Sequence, residues 1–166
     1  MSVYEGNGRV DPARRASVAE ALRAVLSADS VLDAEESVAP YECDGLNLEQ
    51  QAPLLVALPR DEREVAAVLK TCHALGVPVV ARGAGTGLSG GALPHRDAVL
   101  LSLARLDRIL KINPVACTAR LQCGVSNLAI SEAAAAYGLF YAPDPSSQIA
   151  CTIGGDRKST RLNSSH

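Results

Sequence analysis

Five glycines within nine positions constrain this chain more than any other feature of its sequence. They occupy the segment Arg82-Gly83-Ala84-Gly85-Thr86-Gly87-Leu88-Ser89-Gly90-Gly91, directly after the apolar run 77–81, which predicts a β-strand. Glycine lets the backbone approach a ligand closely, and consecutive N–H groups of such a loop can converge on phosphate oxygens. Thr86 and Ser89 add hydroxyl donors, and Arg82 adds a positive charge. A diphosphate is therefore the ligand that this loop favours.

Two common phosphate-binding loops do not match this context. A Walker A loop ends in Gly-Lys-Ser/Thr, whereas this loop continues Gly90-Gly91-Ala92-Leu93. A Rossmann dinucleotide loop opens a helix within its glycines, but here Pro94 follows and the apolar run from Ala98 indicates a strand. A glycine-rich turn that binds nothing stays open as an interpretation, because a single glycine cluster is a weak motif.

Periodicity along the chain predicts alternating strands and helices, which is an α/β (α+β) fold. Strands are predicted over 54–58, 77–81, 98–103, 108–112 and 118–122, the last two pairing antiparallel. Helices are predicted over 12–27, from a cap at Asp61 to about residue 75, and over 126–137. The first helix is interpreted as an N-terminal extension, 28–53 as a connecting segment, and 141–155 as a loop with a short strand at its end.

Charge and composition exclude several classes of partner. The formal net charge is -2 and the basic residues are scattered, so neither nucleic acid nor an anionic membrane surface is expected. No apolar run approaches the roughly 20 residues of a transmembrane helix, and no signal peptide pattern precedes Pro12, so a cytoplasmic protein is expected. The five cysteines lack C-x-x-C spacing and lie in apolar segments, which indicates buried free thiols rather than a disulfide framework or a metal site.

A second cluster carries a more specific signal. The segment 141–155 combines two prolines, several hydroxyls, one acid and a closing Gly154-Gly155 pair. Together with the glycine loop it resembles the two flavin-binding signatures of the PCMH-type FAD domain in the vanillyl-alcohol-oxidase superfamily. Pro40-Tyr41-Glu42-Cys43-Asp44-Gly45 and Ile112-Asn113-Pro114 are similar to the glycolate oxidase flavin-subunit family within it. The resemblance covers about residues 17–155.

The resemblance implies an FAD domain of two α/β lobes with FAD held between them, and we expect the FAD to be bound noncovalently. Residues 1–52 would be an N-terminal helical extension and linker, 53–115 the first lobe, and 116–155 the start of a truncated second lobe. The implied cofactor-binding residues are Arg82, Gly83, Ala84, Gly85, Thr86, Gly87, Leu88, Ser89, Gly124, Pro143, Asp144, Ser147, Thr152, Gly154 and Gly155. His95 lies near the loop and is interpreted as a solvated side chain rather than a covalent flavin attachment.

The resemblance also implies a chemistry. Members of the family are FAD-linked oxidases or dehydrogenases that act on the CH–OH group of small 2-hydroxy acids, glycolate or alternatively D-lactate. Electrons leave through partner subunits, including an iron–sulfur subunit, which could place the protein peripherally at the inner membrane. The family's catalytic residues would lie beyond residue 155, so they stay unknown and this chain is expected to be inactive alone. A non-redox nucleotide-binding module is the alternative function.

The last eleven residues differ from the rest of the chain. Residues 156–166, Asp-Arg-Lys-Ser-Thr-Arg-Leu-Asn-Ser-Ser-His, are polar and show no hydrophobic period. They are similar to the in-frame translation of a common sequencing adapter over their whole length. We therefore expect a non-native tail and exclude it from functional reasoning.

Overall fold

The computed structural model describes residues 10–45, 50–88, 90–143 and 149–155. Its helices are α1 (Pro12–Arg23), α2 (Glu35–Val38), α3 (Glu62–Ala74) and α4 (Asn127–Ala135). Its strands are β1 (Val31–Leu32), β2 (Leu55–Ala57), β3 (Val79–Arg82), β4 (Val99–Ser102), β5 (Ile109–Asn113) and β6 (Thr118–Leu121). Over these residues the strands form a four-stranded sheet in the order β1-β2-β4-β3 and a two-stranded β5-β6 sheet. This mixture of helices with a sheet of mixed strand direction confirms the α/β (α+β) fold class.

The unit from β2 through α3 to β3 forms as the sequence predicts. Asp61 caps α3, because its Oδ1 accepts a hydrogen bond from the backbone N–H of Glu64 at 2.8 Å. The cap satisfies an N–H group that the first turn of a helix leaves without a carbonyl partner. β4 pairs in parallel with both β2 and β3. The carboxyl ends of these three strands therefore share one edge of the sheet, and the glycine loop leaves β3 at that edge.

The N-terminal helix and the connecting segment belong to the same core, which the sequence did not predict. α1 ends at Arg23 rather than near residue 27, and it buries Leu22 in one cluster with Leu55 of β2 and Val68 of α3. β1 lies inside the predicted connecting segment 28–53 and pairs antiparallel with β2 at the sheet edge. A two-residue strand shows no hydrophobic period, so only its pairing with β2 reveals it. The sequence segments 1–52 and 53–115 thus share one hydrophobic core.

The central strands β2 and β4 are buried on both faces of the sheet, and a separate apolar cluster covers each face. Leu55 of β2 and Val99 of β4 face α1 and α3. The next residue on each strand, Val56 and Leu100, faces the opposite side of the sheet. This follows from the alternation of side chains along a strand. Val38 of α2 and the partly buried Tyr41 ring close the second cluster. Strands buried on both faces have continuous apolar sequences, which is why β2 and β4 were predictable.

The chain beyond β4 forms a hairpin, a helix and a docked terminal segment. β5 and β6 pair antiparallel, as predicted. α4 begins after Ser126, whose Oγ accepts a hydrogen bond from the N–H of Ala129 at 3.2 Å, and Gly138 follows its last turn at φ 69°. The short strand expected in 141–155 is a single antiparallel bridge between Thr152 and Ser126, followed by helical backbone over 153–155. The tail 156–166 lies outside the described residues.

The cysteines are free thiols in three kinds of environment. Cys72 and Cys151 are buried, as expected of small apolar side chains, and Cys43 and Cys123 are partly buried. Cys117 is exposed, contrary to expectation, because its apolar neighbours form the turn of the β5–β6 hairpin. Within the described ranges, no cluster of His, Cys, Asp or Glu side chains is arranged to hold a metal ion. No helix in those ranges is long and apolar enough to cross a membrane.

Thiol alkylation tests this packing. Burial raises the pKa of the Cys72 and Cys123 thiols, which lowers the fraction present as reactive thiolate. We expect iodoacetamide to alkylate Cys117 at least about tenfold faster than Cys72 at neutral pH. Peptide mass spectrometry measures both rates, and the protein unfolded in urea, where both thiols should react alike, is the control. Equal rates in the folded protein would contradict the burial of Cys72 on the core-facing side of α3.

Candidate functional site

The glycine loop lies at the edge of the sheet where the parallel strands end. Ligands of open α/β sheets bind at this edge, outside the carboxyl ends of the strands. Over 83–88 and 90–98 the backbone forms turns and bends and opens no helix before β4. The loop therefore differs from a Rossmann loop, as its sequence context indicates. Ser89, a predicted contact of the loop, lies outside the described residues.

Two glycines of the loop are packed so tightly that a side chain cannot replace them. A Cβ on Gly83 would collide with the hydroxyl of Thr152, and a Cβ on Gly85 would collide with the guanidinium of Arg82. Gly85 also has φ 74°, in the region that side chains rarely adopt. These two positions require glycine to build the loop itself.

Gly87 and Gly90 are different, because each faces open space. Apart from the two chain neighbours, no atom of the described residues lies within 4 Å of the position that a Cβ would take on either residue. Gly90 has φ 70°, whereas Gly87 has no positive φ and is free of backbone strain. The neighbouring Leu88 side chain is 67% exposed. This side of the loop presents bare backbone to a space that a ligand can occupy.

The segment 149–155 docks between the glycine loop and the start of α4. Backbone hydrogen bonds join it to residues 123–127: Asn127 N–H donates to Cys151 O at 3.2 Å, Ile153 N–H to Val125 O at 2.9 Å, and Gly154 N–H to Cys123 O at 2.9 Å. Gly154 packs closely, since a Cβ there would lie 2.9 Å from the Cβ of Cys123. Gly124 has no room either, because a Cβ would collide with the Leu103 carbonyl oxygen.

The structure thus brings together most of the residues predicted from the two sequence clusters. Gly83 contacts Thr152. Gly124 follows Cys123, whose carbonyl oxygen accepts a hydrogen bond from the Gly154 N–H. Gly155 is also near, with its N–H nitrogen 4.0 Å from the position of a Cβ on Gly83. Pro143 is described and partly buried, whereas Asp144 and Ser147 lie outside the described residues.

Two buried polar side chains at this junction find no hydrogen-bond partner among the described residues. Thr152 is 8% exposed, and its Oγ1 beside Gly83 is unpaired. Asn127 is 1% exposed, and both polar atoms of its side chain are unpaired. Such groups are costly unless a ligand or water supplies the partner. Sequence reasoning identified Thr152 but missed Asn127, because an asparagine after a serine cap resembles any helix start.

Arg82 and His95, the basic side chains near the loop, are both engaged within the protein. Arg82 Nη1 donates to the carbonyl oxygen of Cys43 at 2.6 Å, and its Cζ lies 5.8 Å from the centroid of the Tyr41 ring. His95 Nδ1 accepts a hydrogen bond from the N–H of Asp97 at 3.2 Å, and the His95 side chain is 40% exposed. The exposure of His95 agrees with the solvated side chain expected from the sequence.

Comparison with known proteins shows which family has this arrangement. Residues 53–156 match the family model described as FAD binding domain. The chain belongs to this FAD-binding family. It is 55% identical over 150 residues to glycolate oxidase subunit GlcD of Escherichia coli, which covers 90% of this chain and 30% of that protein. It is also 41% identical over 104 residues to D-2-hydroxyglutarate dehydrogenase of Xanthomonas citri, covering 63% of this chain and 22% of that enzyme.

A solved structure shows the same fold. The 4-ethylphenol oxidase from Gulosibacter chungangensis superposes with a TM-score of 0.76 at 22% identity, over 93% of this chain and 30% of that one. These findings confirm the resemblance seen in the sequence and confirm FAD as the cofactor of the domain. The chain spans less than a third of the length of the proteins it matches.

Proposed function

We propose that this chain is the FAD-binding part of an oxidoreductase that acts on the CH–OH group of small 2-hydroxy acids. Glycolate, oxidised to glyoxylate, is the proposed substrate, and D-lactate, oxidised to pyruvate, is the alternative. The observation that carries the proposal is the 55% identity to a glycolate oxidase subunit over nine-tenths of this chain. The second relative, also named for a 2-hydroxy acid, supports the substrate class.

The geometry of the loop supports a diphosphate on its open side. Exposed backbone around Gly87 and Leu88 would offer N–H donors to the phosphate oxygens, and Thr86 and Ser89 would add hydroxyls. The unpaired Oγ1 of Thr152 lies beside Gly83, and we propose Thr152 as a further contact of the cofactor. We assign the remaining contacts to the positions predicted from the sequence: Gly83, Ala84, Gly85, Gly124, Pro143, Asp144, Ser147, Gly154 and Gly155.

The chain's own residues serve binding and positioning in this proposal. The bound FAD would supply a hydride acceptor for the α-carbon of the hydroxy acid. Asp144 is the one acid among the candidate residues, and we propose it as a loop and cofactor residue rather than as the base. The base that removes the hydroxyl proton would therefore come from outside the described site. We propose a noncovalent cofactor, with His95 as a partly exposed side chain whose Nδ1 accepts a hydrogen bond from the N–H of Asp97.

We propose the same division into lobes as the sequence suggested, with one adjustment. The first lobe, drawn at 53–115, holds the parallel strands, and the second begins within 116–155 with β6 and α4. α1 and β1 of segment 1–52 are assigned to the first lobe, because they share its core and sheet. Residues 156–166 are proposed to be non-native.

The name of the bacterial relative, a subunit of glycolate oxidase, supports an assembly with partner subunits. We propose that an iron–sulfur subunit takes the electrons. The protein would then be cytoplasmic, either free or held at the inner membrane through these partners. No observation favours a non-redox nucleotide-binding module, whereas the family match favours FAD.

Flavin content and reduction test the proposal. Full-length protein carrying this chain should purify with visible flavin absorbance, release the flavin on denaturation, and lose that absorbance when glycolate is added without oxygen. Release on denaturation follows from noncovalent binding. Thermal stabilisation by ATP or NAD but not by FAD would instead favour the nucleotide-binding module. Flavin that stays with the denatured protein would contradict noncovalent attachment.

A further inference from the structure

We infer that Tyr41 and Arg82 form a brace that holds the glycine loop in its FAD-binding shape, and that Arg82 acts as a positioning residue rather than a phosphate ligand. The inference rests on the proposed function and adds a role for the segment Pro40 to Gly45. It also replaces the role that the sequence suggested for Arg82, which was a positive charge on the diphosphate.

The guanidinium of Arg82 is held on two sides by the segment 40–45. Its Nη1 donates a hydrogen bond to the Cys43 carbonyl oxygen at 2.6 Å, and the bond is short because the donor is charged. Its Cζ lies 5.8 Å from the centroid of the Tyr41 ring, within the range of a cation–π contact. Both contacts cross about forty positions of sequence, so they tie the end of β3 to a distant segment.

The Tyr41 ring is itself anchored in the core. It packs against the cluster formed by Val38, Val56, Leu58 and Leu100 on one face of the sheet. A packed core resists displacement, because its side chains interdigitate at high density. The brace therefore runs from a rigid cluster through the Tyr41 ring to the Arg82 guanidinium.

The backbone of the loop packs directly against the Arg82 guanidinium. A Cβ on Gly85 would overlap Arg82, with 2.7 Å to its Nε, so the backbone at Gly85 passes over the guanidinium in contact. Gly45 presses on the next residues of the loop, since a Cβ there would lie 2.8 Å from the Thr86 carbonyl oxygen and 3.1 Å from the Gly87 carbonyl oxygen. The segment 40–45 thus contacts the loop at two successive residues, Thr86 and Gly87, and reaches Gly85 through Arg82.

This arrangement separates two faces of the loop. The face formed at Gly85 is filled by Arg82, whereas the face at Gly87 and Gly90 is open. A diphosphate on the open face would meet backbone N–H groups, with the guanidinium behind the loop. Arg82 then acts through the shape of the backbone.

A double-mutant cycle on full-length apoprotein tests the brace. The variants are Arg82→Gln, Tyr41→Leu, their combination, and the conservative Tyr41→Phe. Arg14→Gln, an exposed charge on α1, is the matched control for the loss of one positive charge. The dissociation constant for FAD is measured by quenching of flavin fluorescence at low and high salt, together with the thermal midpoint of each apoprotein.

We expect each single substitution to weaken FAD binding by about 3- to 30-fold, the range of a cation–π contact. The double variant should bind no worse than the weaker single variant, because both residues act along one path. Tyr41→Phe should bind FAD as the wild type does, since the ring face is kept. The loss in Arg82→Gln should be the same at both salt concentrations, and Arg14→Gln should bind normally.

Three results would overturn the brace while leaving the proposed function intact. They are normal FAD affinity in Tyr41→Leu, additive losses in the double variant, or a loss in Arg82→Gln that shrinks at high salt as a phosphate contact would. If Arg82→Gln does not fold, the pair Tyr41→Leu and Tyr41→Phe still decides, because only the brace predicts a difference in FAD affinity between them. Wild-type apoprotein that takes up no FAD would refute the proposed function itself.

Discussion

The 166-residue chain alone will oxidise neither glycolate nor D-lactate above the rate of free FAD. We propose that the candidate residues bind and position the cofactor, and that the base for the hydroxyl proton lies outside the described residues. An enzyme gains about 10⁵–10⁸ M in effective concentration by orienting its reactants. The chain spans 30% of its bacterial relative, and we expect the surface that orients a substrate against the flavin to lie in the remainder.

The packing around the hairpin adds a second reason for inactivity. An apolar cavity of about 380 Å³ lies between β5, β6 and α4, lined by Ile112, Leu121, Ile130, Phe140 and Ile153 among others. Phe140 beside it is 77% exposed. Binding that must first order such an incompletely covered region loses affinity to the ordering cost. We therefore expect weak retention of FAD by this chain even when the cofactor is supplied.

A dye-reduction assay measures this prediction directly. Refolded chain is supplemented with FAD and tested with each hydroxy acid, with free FAD as the blank and the full-length protein as the positive control. The full-length protein should turn over and this chain should match the blank. Turnover by the chain above the blank would show that catalytic residues lie within residues 1–155.

Gly87→Val in the full-length protein will abolish FAD retention and leave the fold intact. The backbone at Gly87 has no positive φ, and a Cβ there would meet no atom of the described residues within 4 Å apart from its chain neighbours. If the diphosphate occupies that space, valine displaces it. Losing about two hydrogen bonds to a charged group lowers affinity at least about 100-fold.

Gly85→Val will have a different effect, and the difference identifies the binding face. Valine at Gly85 must adopt φ 74° and displace the Arg82 guanidinium, so it will lose both FAD and stability. Backbone strain of this kind costs about 1–3 kcal/mol. The thermal midpoint of the apoprotein should therefore fall for Gly85→Val and stay unchanged for Gly87→Val.

Gly138→Ala is the matched control for backbone strain. Gly138 has φ 69° and open space around it, but it follows α4, away from the loop. This variant should lose some stability and keep its affinity for FAD. Flavin content unchanged in Gly87→Val would place the diphosphate elsewhere and remove the open face of the loop from the site.

Local patterns in the sequence were sufficient for much of the fold. The continuous apolar runs of β2 and β4, and the cap of α3 at Asp61, depend on residues close in sequence, so their sequence signals are strong. The glycine loop was a weaker signal by itself, and it indicated a flavin site only together with the second cluster, 141–155. The approach of Thr152 to Gly83 agrees with the two sequence clusters forming one site.

Only the tertiary structure decided what each of these residues does. Gly85 and Gly87 look alike in the sequence, but one is packed on Arg82 and the other faces open space. β1 is a strand because it pairs with β2. Arg82 is held in place by contacts with Tyr41 and Cys43, about forty positions away in the sequence. These features depend on contacts between residues distant along the chain, which no local pattern of residues encodes.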